Sequence, residues 1–182
     1  MITKAHINML DTTVNLLIVW HSRTTASQQL AFSAHQGAKK VLEQLQSHTR
    51  IGVNCIPAEQ ATAPQLLAAD AFLFCAPENL ASLSGEMKAF FDQHYYALLN
   101  QINGRPYGMI ISAGTDGQGA AKQVQRICTG WRLQLVQPPL IVLTGADTAE
   151  SIWAPKQLSP EQLHQAEELG GVLAAQLTLA LD

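Results

Sequence analysis

Three short stretches of this 182-residue chain place hydroxyl, glycine and small residues directly after apolar runs, and these are where the sequence has the means for chemistry. The first is His21-Ser-Arg-Thr-Thr-Ala-Ser27, in which four of seven residues are Ser or Thr. It leads into a segment of helical period. Hydroxyls and unpaired N–H groups therefore gather at a helix N-terminus, where the helix dipole adds to the attraction for an anion. A phosphate is the expected ligand; the simpler alternative, a Ser/Thr N-cap, accounts for one hydroxyl of the four. The second stretch is Ala76-Pro-Glu-Asn-Leu-Ala-Ser-Leu-Ser-Gly85. Pro77 is expected to stop the preceding strand, and the small residues leave backbone amides open to a flat ring. Glu78 reads either as a general base or as a solvated loop carboxylate. The third is Ser112-Ala-Gly-Thr-Asp-Gly-Gln-Gly119, with three glycines in six residues. These permit positive φ and close backbone approach to a ligand; the alternative is a flexible turn with Asp116 capping the next helix.

Competing chemistries lack their residues. The order G-x-x-G-x-G is not the dinucleotide fingerprint, and no Walker lysine, G-x-S-x-G elbow or S-x-x-K occurs. The run ending in Trp20-His-Ser carries no acidic residue for phosphoryl transfer, and no paired carboxylates stand at strand ends. Cys55, Cys75 and Cys128 are odd in number and flanked by apolar residues, with no C-x-x-C or H-E-x-x-H. They read as small buried hydrophobes, and no metal site is expected. A chain without a nucleophile, a metal site or a base pair, yet shaped for a phosphorylated flat ligand, points to a cofactor that carries the reaction.

The elements that must position these loops alternate in type. Asn15–Trp20 is a continuous apolar run, as a parallel strand covered on both faces requires. Ser27–Ser47 follows a helical period, with Leu30, Ala34, Ala38, Val41, Leu42 and Leu45 on one face. Arg50–Ile56, Asp70–Ala76 and Tyr107–Ser112 read as strands, and a fifth lies within Leu133–Leu143, where Pro138-Pro139 is expected to interrupt it at a sheet edge. Helices are expected over Gln65–Ala69, Ser84–Leu99 (burying Met87, Phe90, Phe91 and Leu98) and Ala120–Trp131. A last helix opens at the capping box Ser159-Pro-Glu-Gln162 and runs to Leu181. Five βα units imply a parallel sheet between helices, with ligands bound beyond the carboxyl ends of its strands.

Composition narrows the partners. Hydrophobic residues make up 47% of the chain and charged ones 14%, against roughly 25% charged in an average soluble protein, so disorder is excluded. The longest apolar runs, Leu16–Trp20 and Ala71–Ala76, fall far short of the about 20 residues of a membrane span. Met1–Thr13 has no apolar stretch of signal-peptide length and reads as an N-terminal extension of one domain over residues 1–182. A cytoplasmic protein is expected. The formal charge of −3 creates no strong field for nucleic acid.

All three loops also resemble those of a known family. Leu17-Ile-Val-Trp-His-Ser-Arg-Thr-Thr-Ala-Ser27 resembles the flavodoxin phosphate loop, T/S-x-T-G-N-T. Ser22, Thr24 and Ser27 match, Thr25 stands where Gly is usual and Ala26 where Asn is usual. Residues 76–92 are similar to the second loop and helix of FMN-dependent NAD(P)H reductases and of the tryptophan-repressor-binding-protein-like quinone reductases, and 111–120 to their third flavin loop. The resemblance covers residues 15–145. It implies an α/β flavodoxin-like three-layer sandwich with a five-stranded parallel sheet of order 2-1-3-4-5, and non-covalent FMN. On the same resemblance Ser22, Arg23, Thr24, Thr25, Ala26 and Ser27 surround the phosphate. Pro77, Glu78, Asn79 and Leu80 face the isoalloxazine, and Ala113, Gly114, Thr115, Asp116 and Gly119 line its pyrimidine and ribityl side. No protein side chain is assigned a catalytic role, because the flavin carries the chemistry. NAD(P)H is the implied co-substrate and a quinone or similar small molecule the acceptor; the alternatives are a flavodoxin-like electron carrier and a binding module without FMN. The second loop lacks the family's usual aromatic residue, leaving His94, Tyr95, Tyr96 or Trp153 as aromatic cover. A weakly charged surface is expected either to pair with a second subunit, giving a homo-oligomer, or to lie against the flavin.

Overall fold

The computed structural model describes residues 14–47 and 50–180. The extension assigned to residues 1–13 lies outside them. In chain order the elements are β1 (Val14–Trp20), α1 (Ala26–Gln44), β2 (Ile51–Pro57), a 3-10 turn (Ala58–Gln60), α2 (Ala63–Ala68), β3 (Ala71–Asn79), β4 (Ser82–Leu83), α3 (Gly85–Leu98), β5 (Pro106–Ala113), α4 (Gln118–Gly130), β6 (Gln134–Leu135), β7 (Leu140–Leu143), α5 (Ala149–Trp153) and α6 (Pro160–Leu179).

The parallel sheet runs β2-β1-β3-β5, and both β6 and β7 pair with the outer side of β5. Because β6 and β7 are two pieces of one strand broken around Pro138-Pro139, this is the 2-1-3-4-5 order of the flavodoxin-like fold. Proline has no N–H to give a ladder, so the break falls at the edge where a gap costs least.

Alternation along the strands divides the core in two. Leu17, Val19, Phe72, Phe74, Tyr107, Met109 and Ile111 face α3 and α4, meeting Met87, Phe90, Phe91, Val124 and Trp131. Leu16, Ile18, Leu73, Cys75 and Ile110 face α1 and α6, meeting Leu30, Ala34, Leu42, Leu169, Leu173 and Leu177. On the second face the helices touch backbone to backbone. A Cβ on Gly37 would lie 2.0 Å from the Glu167 carbonyl oxygen, and one on Gly170 would lie 1.9 Å from that of Ala34. The face of α1 ends earlier than its periodicity predicts: Leu45 lies beyond the helix and is exposed.

A second correction concerns Pro77, which does not stop β3. The strand continues to Asn79, with Pro77 in register with Ser112 of β5. The Cys75 carbonyl accepts from His21 on the β1 side, and by the two-residue period Pro77 faces that side too. The β1 ladder has already ended at Trp20, so no N–H is required there. The Pro77 carbonyl instead accepts from Ser84 N at 3.1 Å.

Candidate flavin-binding cleft

The loop after β1 forms a main-chain cradle. Thr25 occupies the N-cap position of α1 in the left-handed conformation, at φ 67°, and no side chain caps the helix. This leaves the N–H groups of residues Ser22 to Gln28 without an acceptor among the described residues; the first helical bond is Gln29 N to Thr25 O. The first turn of α1 holds no acidic residue. Two of the four hydroxyls, by contrast, are committed to the scaffold. Thr25 Oγ1 donates to the carbonyls of Thr24 (2.7 Å) and Lys156 (3.2 Å). Ser27 Oγ, wholly buried, pairs with Ser112 Oγ at 2.8 Å.

Arg23 does not stand free either. Its Nη2 donates to both carboxylate oxygens of Glu86 in the first turn of α3, at 3.0 and 3.2 Å, and both side chains are exposed. Burial acts to raise the Glu86 pKa, but its own backbone N–H, the Arg23 hydrogen bond and the neighbouring charges outweigh it, and the carboxyl sits below its ordinary range. His21, which opens the first stretch but is not among the residues the resemblance places around the phosphate, hydrogen-bonds through Nδ1 to Ser84 Oγ at 2.9 Å. Burial lowers its pKa despite Glu86, 3.6 Å from Nε2.

The second loop is a hairpin. β4 pairs antiparallel with the end of β3, Glu78 opposite Leu83 and Asn79 opposite Ser82, leaving Leu80 and Ala81 as a two-residue turn. Both turn residues have positive φ, 53° and 57°, where asparagine and glycine are the usual occupants. The Leu80 side chain is fully exposed at the tip. Glu78 is neither a base nor a solvated carboxylate: its Oε1 accepts from Gly117 N (2.8 Å) and its Oε2 from Ala120 N (3.0 Å), so it caps α4 in place of Asp116. Gln123 Oε1 accepts from Leu83 N and Ser82 Oγ. Gly119 makes the approach possible, since a Cβ there would lie 2.1 Å from the Ala81 carbonyl oxygen. Asn79 Nδ2 is buried without a partner.

An arm the sequence reading missed completes the walls. Thr144 N and Gly145 N donate to the carbonyls of Ala113 and Gly114, each at 2.9 Å. Next comes α5, with Thr148 and Ser151 forming a capping box. At its far end Lys156 N donates to Thr24 O at 2.8 Å, returning the chain to the first loop.

These parts enclose one cleft of about 710 Å³, within the range usual for small-ligand sites. It opens beyond the carboxyl ends of β1, β3 and β5. Of the residues implied by resemblance, Arg23, Thr24, Ala26, Pro77, Glu78, Asn79, Leu80, Ala113, Gly114 and Thr115 line it. Ser22, Thr25, Ser27, Asp116 and Gly119 are not among the lining residues. Lys156, Ile152 and Trp153 join from the arm, while His94 is buried and Tyr95 stacks on Trp131. Burial pushes the Cys55 thiol up to about 12 and raises Cys75 and Cys128 well above their ordinary value, so none is an active thiolate. A second, larger depression of about 870 Å³ lies among α1, α6 and Pro138-Pro139 and carries none of the three loops.

Residues 56–148, just over half of the chain, match the family described as NADPH-dependent FMN reductase. The chain belongs to that family. A probable NAD(P)H dehydrogenase (quinone) FQR1-like 2 of Arabidopsis thaliana is 35% identical over 83 residues, 45% of this chain. The match spans only 29% of that relative's length. Among solved structures, a flavodoxin from the domain Archaea superposes with a TM-score of 0.72 at 14% identity, covering 91% of this chain and 99% of the other. A WrbA-like flavodoxin from Agrobacterium tumefaciens gives 0.62 at 17% identity, covering 90% and 97%. At such identities the likeness shows the flavodoxin-like fold of this FMN reductase family member. No helix among its described residues is long and apolar enough to cross a membrane.

Proposed function

We propose that the protein is an FMN-dependent NAD(P)H oxidoreductase that delivers electrons to a quinone or similar small acceptor. The observation that carries this reading is the row of backbone N–H groups from Ser22 to Gln28, without acceptors among the described residues, at the head of the 19-residue helix α1 and beside a cleft that Arg23, Thr24 and Ala26 line together with two further loops. A dianionic phosphoryl group satisfies such donors, and the helix dipole favours it. Family membership and the cleft's size support FMN as its bearer.

Within this reading Thr24 and the amides of residues 22–28 hold the phosphate. Arg23 adds positive charge, tempered by Glu86. Glu78 fixes the third loop by capping α4, so that Ala113, Gly114 and Thr115 present backbone to the ligand with little freedom. When bound, FMN supplies the redox chemistry that these side chains lack, two-electron exchange between a nicotinamide and the acceptor. The protein's share is to bind, orient and exclude water.

The test is a yellow preparation that releases FMN on denaturation and oxidises NADH or NADPH when a quinone is supplied. FMN bound without pyridine-nucleotide turnover, but reduced by a separate reductase, would instead make the protein an electron carrier.

A further inference from the structure

The arm between β7 and α6 is pinned at both ends to loops that face the cleft. At its start, Thr144 N and Oγ1 both donate to the Ala113 carbonyl, and the Ala146 carbonyl comes so close that a Cβ on Gly114 would lie 2.3 Å from it. At its end, Lys156 donates through its backbone N to Thr24 O. The Lys156 carbonyl in turn accepts from Gln29 Nε2 (2.8 Å) and Thr25 Oγ1 (3.2 Å). The Lys156 ammonium turns back on the arm itself. Nζ donates to the carbonyls of Ser151 (2.7 Å), Ile152 (3.1 Å) and Ala154 (2.6 Å), filling the acceptors at the C-terminus of α5.

A five-residue helix has little stability alone, so this bracing gives it a fixed place. What it holds there is Trp153, the one aromatic side chain among the cleft's described lining residues, and 72% exposed. Ile152 beside it and Leu80 on the hairpin tip are the other large apolar side chains at the cleft that stand open to solvent. A large aromatic group left in water on a braced support, next to a cleft, is complementary to a flat apolar ligand.

We propose that this arm is a fourth ligand-binding segment, in which Trp153 contacts the ring system of the bound flavin and Lys156 is the positioning residue that holds it there. The inference rests on the FMN reading above. It also accounts for Thr25, whose hydroxyl reaches the Lys156 carbonyl in place of the glycine expected at that position.

The test compares FMN with riboflavin, which has the same ring and no phosphate, by following quenching of flavin fluorescence and shifts of the flavin absorption band. Trp153→Ala is expected to weaken both ligands by the same factor, about tenfold, the worth of one aromatic contact. Trp153→Phe should restore most of the loss. Lys156→Met should weaken riboflavin as much as FMN, with Lys156→Arg rescuing it and the double variant Trp153→Ala/Lys156→Met no worse than either single one. Thermal unfolding of each variant without ligand reports whether the fold is intact. Wild-type affinity for both ligands in Trp153→Ala, with an unchanged absorption band, would overturn the arm's role and leave the FMN reading standing. A loss in Lys156→Met confined to FMN would also overturn it, since the lysine would then act on the phosphate. Wild-type protein that binds neither ligand would overturn both.

Discussion

Glu78 and Gly117 stand 39 residues apart, yet the carboxylate of one accepts the N–H of the other at 2.8 Å. With the second bond, from Ala120 N, this places a negative charge at the N-terminus of α4 and ties the β3–β4 hairpin to the glycine-rich loop. Capping and dipole interactions of this kind are worth about 1–2 kcal/mol. Glu78→Gln should therefore lower stability by about 1 kcal/mol and Glu78→Ala by about 2 kcal/mol, read from urea midpoints. Wild-type stability in the alanine variant would mean that the helix end is satisfied by water alone.

The hairpin turn carries strain that one substitution can relieve. Ala81 sits at φ 57°, a conformation costing an L-residue roughly 1–2 kcal/mol and glycine little. Ala81→Gly should raise stability by about 1 kcal/mol, or about 2–4 °C in melting temperature for a chain of this size. Calorimetry on the ligand-free protein checks it, and a lower melting temperature would refute it.

The contact between α1 and α6 has no such tolerance. A Cβ at Gly170 meets the Ala34 carbonyl at 1.9 Å, and backbone cannot move aside as a flexible side chain can. Gly170→Ala should cost about 3 kcal/mol, the upper end of overpacking effects, despite the better helix propensity of alanine. Gly85→Ala, at the start of α3 with nothing near its Cβ, serves as the control and should remain within about 0.5 kcal/mol of wild type.

Stability should also depend on pH through histidine. His21, His35 and His94 all lie below the ordinary 6.5, in each case chiefly because burial disfavours the charged ring. The unfolded chain therefore takes up protons first as the pH falls. Stability is full above about pH 6.5 and declines below it, until the folded-state values are passed. Urea midpoints should be lower at pH 5.5 than at pH 7.5. His94→Gln, able to keep the hydrogen bond to the Ala61 carbonyl (3.1 Å), should flatten the difference. Equal midpoints at the two pH values would contradict the argument.

What the sequence disclosed follows the range of the interactions involved. The sheet was readable because β1, β3 and β5 are apolar on both faces. The turn of the first loop into a helix was readable from its hydroxyls, although two of these, on Thr25 and Ser27, brace the loop and the donors it leaves open are main-chain N–H groups. Pro77 misled because its effect depends on where β1 ends, which no local pattern records. The hairpin and the arm were invisible for another reason. A two-residue strand and a five-residue helix are shorter than any period that could announce them, and their positions depend on partners such as Glu78–Gly117 and Lys156–Thr24 far apart in the chain.

The broken fifth strand has a consequence for how these molecules meet one another. An unbroken edge strand offers a row of free N–H and C=O groups on which another chain can add a strand, the first step toward ordered aggregation. Here that edge is a two-residue piece and a four-residue piece separated around two prolines. An incoming strand would find no register it could hold across the gap. This margin of the sheet is thus closed to strand addition, whereas the opposite margin, β2, is a continuous seven-residue strand.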